Sequence, residues 1–342
     1  MLDAAPRTVV ECRQNLSRNR NPGYLAAAPG MPEQGRIGYN FVRIASKSRL
    51  LMVPASPQRP KHAILVPYRK ILLSLGILSF SAGIALLGAN GAGFLFPLRS
   101  PDINGYVDFA GSATTTFAQS EQRLDALVKS HPSNDQFVTQ ATRIFHDGIA
   151  HVAPRDVKRY GGGHYRMRVP ISENWILYLL SYLKPDTYRD YEFCSYRRAL
   201  ERGVGRCGQQ SLALVSFLAK HGMKTGFIAL GGHSVATAEV DDHDWYILDP
   251  DYGAVIPKPI EEVEKNPDSV LPYYWSNAAK ENGIQALYAP ANRVVYGGPE
   301  ARYARACPIE TVAYLAKWII PLVLVLVGIA LLVIRQRGRR RE

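Results

Sequence analysis

Gly203-Val204-Gly205-Arg206-Cys207-Gly208-Gln209-Gln210-Ser211 is the stretch on which the reading of this chain turns. Its glycines interrupt any preceding regular element. From Ser211 onward Leu212, Val215, Leu218 and Ala219 recur at helical spacing until Gly222 stops the run. Cys207 therefore falls at a helix N-terminus, where the positive end of the helix dipole favours a thiolate and unpaired N–H groups can face an oxyanion.

Downstream, three short runs at residues 225–230, 234–240 and 245–248 read as strands, with residues 241–244 as the turn between the last two. The core of residues 201–253 is thus a helix packed on an antiparallel sheet, an α+β arrangement. His233 begins one strand and Asp249 ends the next, so a hairpin returns both to the same end. A thiol nucleophile needs a base that takes and returns its proton, and a carboxylate that fixes the base's tautomer. Cys207, His233 and Asp249 are of the right types for that work. His243, in the Asp-rich turn, is the alternative base. His131, His146, His151 and His164 lack metal-ligand spacing and read as surface or core residues. No metal is expected, and no cofactor motif or phosphate loop is present.

Gly205-Arg206-Cys207-Gly208 ahead of a helix, His233 ahead of a strand, and Trp245-Tyr246-Ile247-Leu248-Asp249-Pro250 closing the next resemble the transglutaminase-like superfamily. The resemblance implies a papain-like core with Cys207 as nucleophile, His233 as general base and acid, and Asp249 as its orienter. It also implies a second oxyanion donor from a side chain upstream of the cysteine, for which Trp175 is the candidate. Many relatives carry an aromatic two residues after the histidine and an acid soon after. Here Val235 occupies that place and Glu239 comes later, which predicts a different substrate cleft.

Working outward, residues 117–129 and 133–152 read as helices, the second with Ser133 and Gln136 as a capping box and with Phe137, Ala141, Ile144, Phe145 and Ile149 on one face. Ser172 can cap a helix carrying Trp175, Leu179, Leu180 and Leu183, ended by Pro185. Residues 160–164, with three glycines, read as a loop. Residues 259–265 and 271–280 read as short helices. Tyr273, Tyr274 and Trp275 form either core packing or a groove that stacks sugar rings or peptide side chains.

Two segments lie outside this globular pattern. Residues 71–96 carry no charge, and residues 318–334 are rich in Leu, Val and Ile between Lys317 and Arg335. Each comes close to the ~20 apolar residues that cross ~30 Å of hydrocarbon. The formal net charge of +12 splits accordingly. Residues 1–98 hold 12 Lys+Arg against 3 Asp+Glu, residues 99–317 hold 24 against 25, and residues 318–342 hold 5 against 1. The excess sits in the tails, beside the apolar segments, which argues against a nucleic-acid partner and for anionic lipid.

The positive-inside rule then predicts a two-pass protein of a bacterial inner (cytoplasmic) membrane. The disordered basic tail of residues 1–60 and the tail of residues 335–342 would be cytoplasmic, and a domain over residues 99–315 periplasmic. Met52, shortly before the first span, is an alternative start. On an oxidising side Cys194 and Cys307 are candidates for a disulfide, with Cys12 left in the cytoplasmic tail.

The expected activity is acyl transfer through a thioester to water or an amine, on a protein or peptide substrate near the membrane. The alternative is a non-catalytic binding or scaffold domain in a membrane assembly for envelope polymers. Oligomeric state is not readable from the residues.

Overall fold

The structure, a computed structural model, describes residues 62–100, 103, 114–152, 165–275, 279–280, 283–294 and 306–339. The expected tail of residues 1–60, with Cys12 and Met52, and the glycine-rich loop lie outside them. In chain order the elements are α1 (His62–Ala92), α2 (Phe117–Ser130), α3 (Asn134–Gly148), β1 (Ala150–His151), α4 (Trp175–Leu183), α5 (Pro185–Tyr188), α6 (Tyr196–Arg202), β2 (Val204–Gly205), α7 (Cys207–Lys220), β3 (Thr225–Leu230), β4 (His233–Asp241), β5 (Asp244–Asp249), β6 (Ala254–Ile256) and α8 (Ile260–Lys265). Three 3-10 turns follow, then β7 (Arg293–Val294) and α9 (Ala306–Arg339).

This is an α+β protein. Its sheet is antiparallel in the order β6-β5-β4-β3-β7, and β4 is central because its nine residues pair on both sides. Alternation along β4 sorts side chains to two faces. Ala236, Ala238 and Val240 join Ala213, Leu214, Phe217 and Leu218 of α7 and Val138, Ala141 and Phe145 of α3 in the main core. Val235 points the other way, into a second core with Ile247, Ile256, Val263, Val270, Tyr274 and Tyr288. The alanines of β4 leave the room that lets α7 lie against the sheet.

Several local expectations change. Helix α3 stops at Gly148 rather than running to residue 152, because Ile149 turns extended (φ −128°) and Ala150–His151 pairs in parallel with Val204–Gly205. Ser133 makes no side-chain capping bond. The capping box belongs instead to α2, where the Thr116 hydroxyl accepts from Gln119 N and the Gln119 side chain accepts from Thr116 N. Asn174, not Ser172, caps α4, accepting from Ile176 N and Leu177 N at 3.1 Å each. The inward face of α4 is Leu177 and Ser181, while Leu179 and Leu183 are exposed. The expected helix at residues 271–280 is a 3-10 turn as far as Tyr273, after which Tyr274 is extended.

Helices α1 and α9 are both long and apolar enough to cross a membrane. They pack antiparallel through small residues. A methyl on Gly83 would come within 2.7 Å of the Pro321 carbonyl, and one on Gly328 within 2.7 Å of Phe80 N. Ser79 Oγ donates to Leu324 O at 2.7 Å. At one end Arg69 Nη2 donates to Gly338 O at 2.9 Å, and at the other Asn90 Nδ2 donates to Lys317 O at 2.5 Å.

At ~1.5 Å per residue the 34 residues of α9 reach ~50 Å, well beyond ~30 Å of hydrocarbon. The surplus at its start belongs to the globular part. Ala313 lies in the main core, and buried Glu310 accepts from Tyr191 OH at 2.9 Å, Cys194 N at 2.8 Å and Ser195 N at 3.3 Å. A Cys194–Cys307 disulfide fastens the same junction.

Intact mass of the alkylated chain should therefore change with reductant by one bridge, and Cys307→Ser should lower unfolding stability by about 2–4 kcal/mol in denaturant titration. Equal masses with and without reductant would remove the bridge.

Candidate active site

The onset of α7 is set by what surrounds it. Gly203 ends α6 in the left-handed region (φ +67°), where a side chain would be strained, and β2 then delivers Arg206 as an extended N-cap. Arg202, fully buried, ties this stretch together. Its Nε donates to Val204 O (2.9 Å), Nη1 to Tyr191 O (2.5 Å) and Nη2 to Gln209 Oε1 (2.6 Å), and its guanidinium lies 4.8 Å over the Phe193 ring. Burial lowers it to about 10 against the opposing charges of Glu192 and Glu310, so it stays cationic at neutral pH. Gln209 completes the knot, accepting from Phe193 N at 2.6 Å and donating to Phe193 O at 2.9 Å.

Cys207 opens the helix and is 9% exposed. It is a free thiol. Next to it, Gly208 lies against the Glu192 carboxylate: a methyl there would be 2.7 Å from Oε1. The first-turn N–H groups of an α-helix have no intrahelical acceptor, and an anion is favoured beside them.

His233, 7% exposed, opens β4, and the Cys207 side chain is near enough to it to favour its charged form. Its Nε2 lies 2.8 Å from Asp249 Oδ2, at the end of β5. With Nε2 held by Asp249, Nδ1 is the ring nitrogen left on the other side of the imidazole. Burial works against the charged imidazole, yet the charge and hydrogen bond of Asp249 and the contact with Cys207 outweigh it and hold His233 well above its usual range. The three residues singled out by chemistry thus meet at one end of the sheet.

Asp249 is fully buried and triply held. Besides His233, Tyr274 OH donates to Oδ2 at 2.7 Å and Asp251 N to Oδ1 at 3.1 Å, while the Tyr274 and Tyr288 hydroxyls lie 2.7 Å apart. Burial, then the charge of Asp249, raises the Tyr274 phenol far above its ordinary value, so it stays a donor. The Tyr273–Trp275 aromatics divide accordingly. Tyr274 is core, whereas Trp275 is largely exposed and donates Nε1–H to Tyr252 O.

A second buried acid flanks the imidazole. Asp251 Oδ2 lies 3.8 Å from His233 Nδ1. Its Oδ1 is 2.7 Å from His151 Nδ1 and accepts from Gln210 Nε2 at 3.1 Å. Burial pushes this carboxyl up, but His151 first, then His233 and His146, pull it below its ordinary value. His146 Nδ1 lies 3.1 Å from Pro250 O and 3.2 Å from Asp251 O, bracing the backbone between the two acids. His146 and His151 are thus core residues, as one of the two sequence readings had it, and both are polar partners around the site. Their sequence positions give no sign of it, since both reach the acids across about a hundred residues. The only local signal was the second acid in Asp249-Pro250-Asp251.

Other candidates sit elsewhere. His243 lies at the opposite end of the β4–β5 hairpin, with positive φ and a fully solvated ring facing Glu239, so it is not the base. Trp175, the candidate oxyanion donor, commits its Nε1–H to Lys317 O at 3.3 Å. Among the described residues no group of three or more His, Cys, Asp or Glu is placed to hold a metal ion.

Comparison of this chain with family models, curated proteins and solved structures returns no match.

The shifts have opposite signs in pH. His233, raised in the fold, contributes stability that is whole below its ordinary value of about 6.5 and is lost as pH rises through the folded value. Asp251, lowered, contributes stability present above about 3.9 and lost as pH falls through its folded value. Thermal melts of His233→Gln against wild type should converge at alkaline pH, and those of Asp251→Asn against wild type should converge in acid. Gaps independent of pH would refute these assignments.

Proposed function

We propose that this chain is a membrane-anchored, transglutaminase-like thiol enzyme that transfers acyl groups through a covalent thioester. The observation that carries the reading is His233 held 2.8 Å from the Asp249 carboxylate with Cys207 as its neighbour, all three buried at one end of the sheet. A helix bearing the cysteine and packed on an antiparallel sheet is consistent with a papain-like core.

In the reaction Cys207 Sγ bonds to the carbonyl carbon of an amide or ester while its proton passes to His233. The developing oxyanion meets the N–H groups at the very start of α7, ahead of Gln209, whose own N–H donates to Arg206 O. As the carbonyl re-forms, the bond to the leaving amine or alcohol breaks and the leaving group takes the proton from His233. Water, or a second amine, then attacks the thioester carbonyl while His233 takes its proton, the C–S bond breaks to release the acid or new amide, and His233 returns the proton to the Cys207 sulfur. Asp249 holds Nε2–H throughout and offsets the imidazolium charge, and Tyr274 fixes Asp249. Hydrolysis of a protein or peptide near the membrane is the favoured outcome.

The basic ends of the chain lie beside α1 and α9, which supports cytoplasmic tails and an extracytoplasmic, periplasmic domain on a bacterial inner membrane. The Cys194–Cys307 bridge is independent support, since cytosolic thiols are kept reduced.

Iodoacetamide labelling of the full chain in detergent, read by mass spectrometry at Cys207, tests the chemistry. Wild type should label readily below pH 7, and His233→Ala should lose roughly a hundredfold or more, the lower end of what a positioned base supplies. Slow labelling, equal in both, would move the reading to a binding domain that keeps the cleft without the reaction.

A further inference from the structure

Helix α4 is almost wholly apolar, Trp175-Ile176-Leu177-Tyr178-Leu179-Leu180-Ser181-Tyr182-Leu183, yet it buries only Leu177 and Ser181. Leu179, Tyr182 and Leu183 are exposed, Leu183 at 76%. They continue, one and two turns on, the side of the helix that carries Trp175. An outward row of large apolar side chains is costly in water, and the soluble core has no place for it.

Its position indicates what covers it. Trp175 donates to Lys317 O, and Asn90 of α1 donates to that same carbonyl, so the row starts where both long helices meet the domain. Lys317 is followed by Trp318, which stacks on Phe94 with ring centroids 6.1 Å apart. Immediately after α1, Phe94, Leu95 and Phe96 are all exposed, Phe94 at 82%. This segment abuts the residues that precede α4, because Gly93 packs directly against the Ser172 carbonyl, next to exposed Ile171. The two apolar patches therefore adjoin one another and the ends of both candidate spans.

The rim is cationic and aromatic. The Arg168 guanidinium lies 4.4 Å over the Tyr182 ring and donates to its hydroxyl at 3.0 Å, and exposed Lys184 and Arg189 follow α4. Trp and Tyr beside Arg and Lys on an otherwise apolar short helix are what the boundary between headgroups and acyl chains selects.

We infer that α4, with Phe94–Leu95–Phe96, lies in the outer boundary layer of the same bilayer that α1 and α9 cross, its Leu179–Leu183 face among acyl chains and Arg168, Lys184 and Arg189 toward anionic headgroups. This rests on the reading of α1 and α9 as membrane spans. The domain is then held against the bilayer at a third place and cannot swing freely on its two helices. Its site stays at a set height above the lipid, and substrates are those that reach that height.

The test uses the full chain in nanodiscs of phosphatidylethanolamine and phosphatidylglycerol, doped with a phospholipid that carries a photoreactive diazirine near the glycerol end of its acyl chain. After irradiation and digestion, lipid adducts should appear on the peptide of residues 169–189 as well as on peptides of α1 and α9. Leu179→Glu with Leu183→Glu should lower adducts on residues 169–189 several-fold and leave those on the spans unchanged. Adducts on the spans with none on residues 169–189 would overturn the inference alone and mean that water or another protein surface covers α4. Undiminished adducts in the double variant would overturn it equally. Adducts on neither would overturn the membrane reading together with it.

Discussion

A buried guanidinium organises this protein. Arg202 has lost its water, and an unpaired charge there would cost several kcal/mol, so its N–H groups must find acceptors of fixed position. It finds them in Tyr191 O, Val204 O and Gln209 Oε1, one in each of three segments that meet at the start of α7. Those segments cannot shift independently. The segment before α6 lies against the cysteine helix through Gln209 and Gly208, and the same segment receives Glu310 and Cys307 from α9. A single web of polar contacts therefore runs from the end of a candidate membrane span to the residue proposed as nucleophile. Because the interior is close-packed, displacement at one end is not absorbed between.

Around His233 the design is electrostatic. Burial alone would strip the imidazole of its proton, but carboxylates stand on both sides, Asp249 in contact and Asp251 farther off. Each acid is itself restrained, Asp249 by Tyr274 and Asp251 by His151 and Gln210. Fixed partners in a site with little water keep their orientation when charge moves, which is what proton transfer between a thiol and an imidazole demands.

The parts of this arrangement that could be read from the chain are those built from neighbours. Cys207 stands beside glycines and a clear helical period, and His233 and Asp249 bracket one hairpin, so residue types and element ends sufficed to bring them together. Asp251, Tyr274, Tyr288, His146 and His151 could not be read this way, because they arrive through contacts between separate elements. Trp175 was a candidate for its donor and its place upstream, but the donor goes to the end of α9. The inward face of α4, Leu177 and Ser181, was not legible either, for a related reason. A helix apolar on every side has no polar contrast to mark its buried stripe, and the neighbour that decides its orientation lies more than a hundred residues away.

The bridge between Cys194 and Cys307 spans 113 residues, and the thiol of Cys207 lies between them in the chain. During synthesis Cys194 emerges well before its partner, with Cys207 following far more closely. The correct pairing can form only after α9, which carries Cys307, has been made. In the folded chain Cys207 is buried where α7 meets the sheet, and thiol exchange requires access to the sulfur. Burial, rather than proximity along the chain, decides which sulfur remains free.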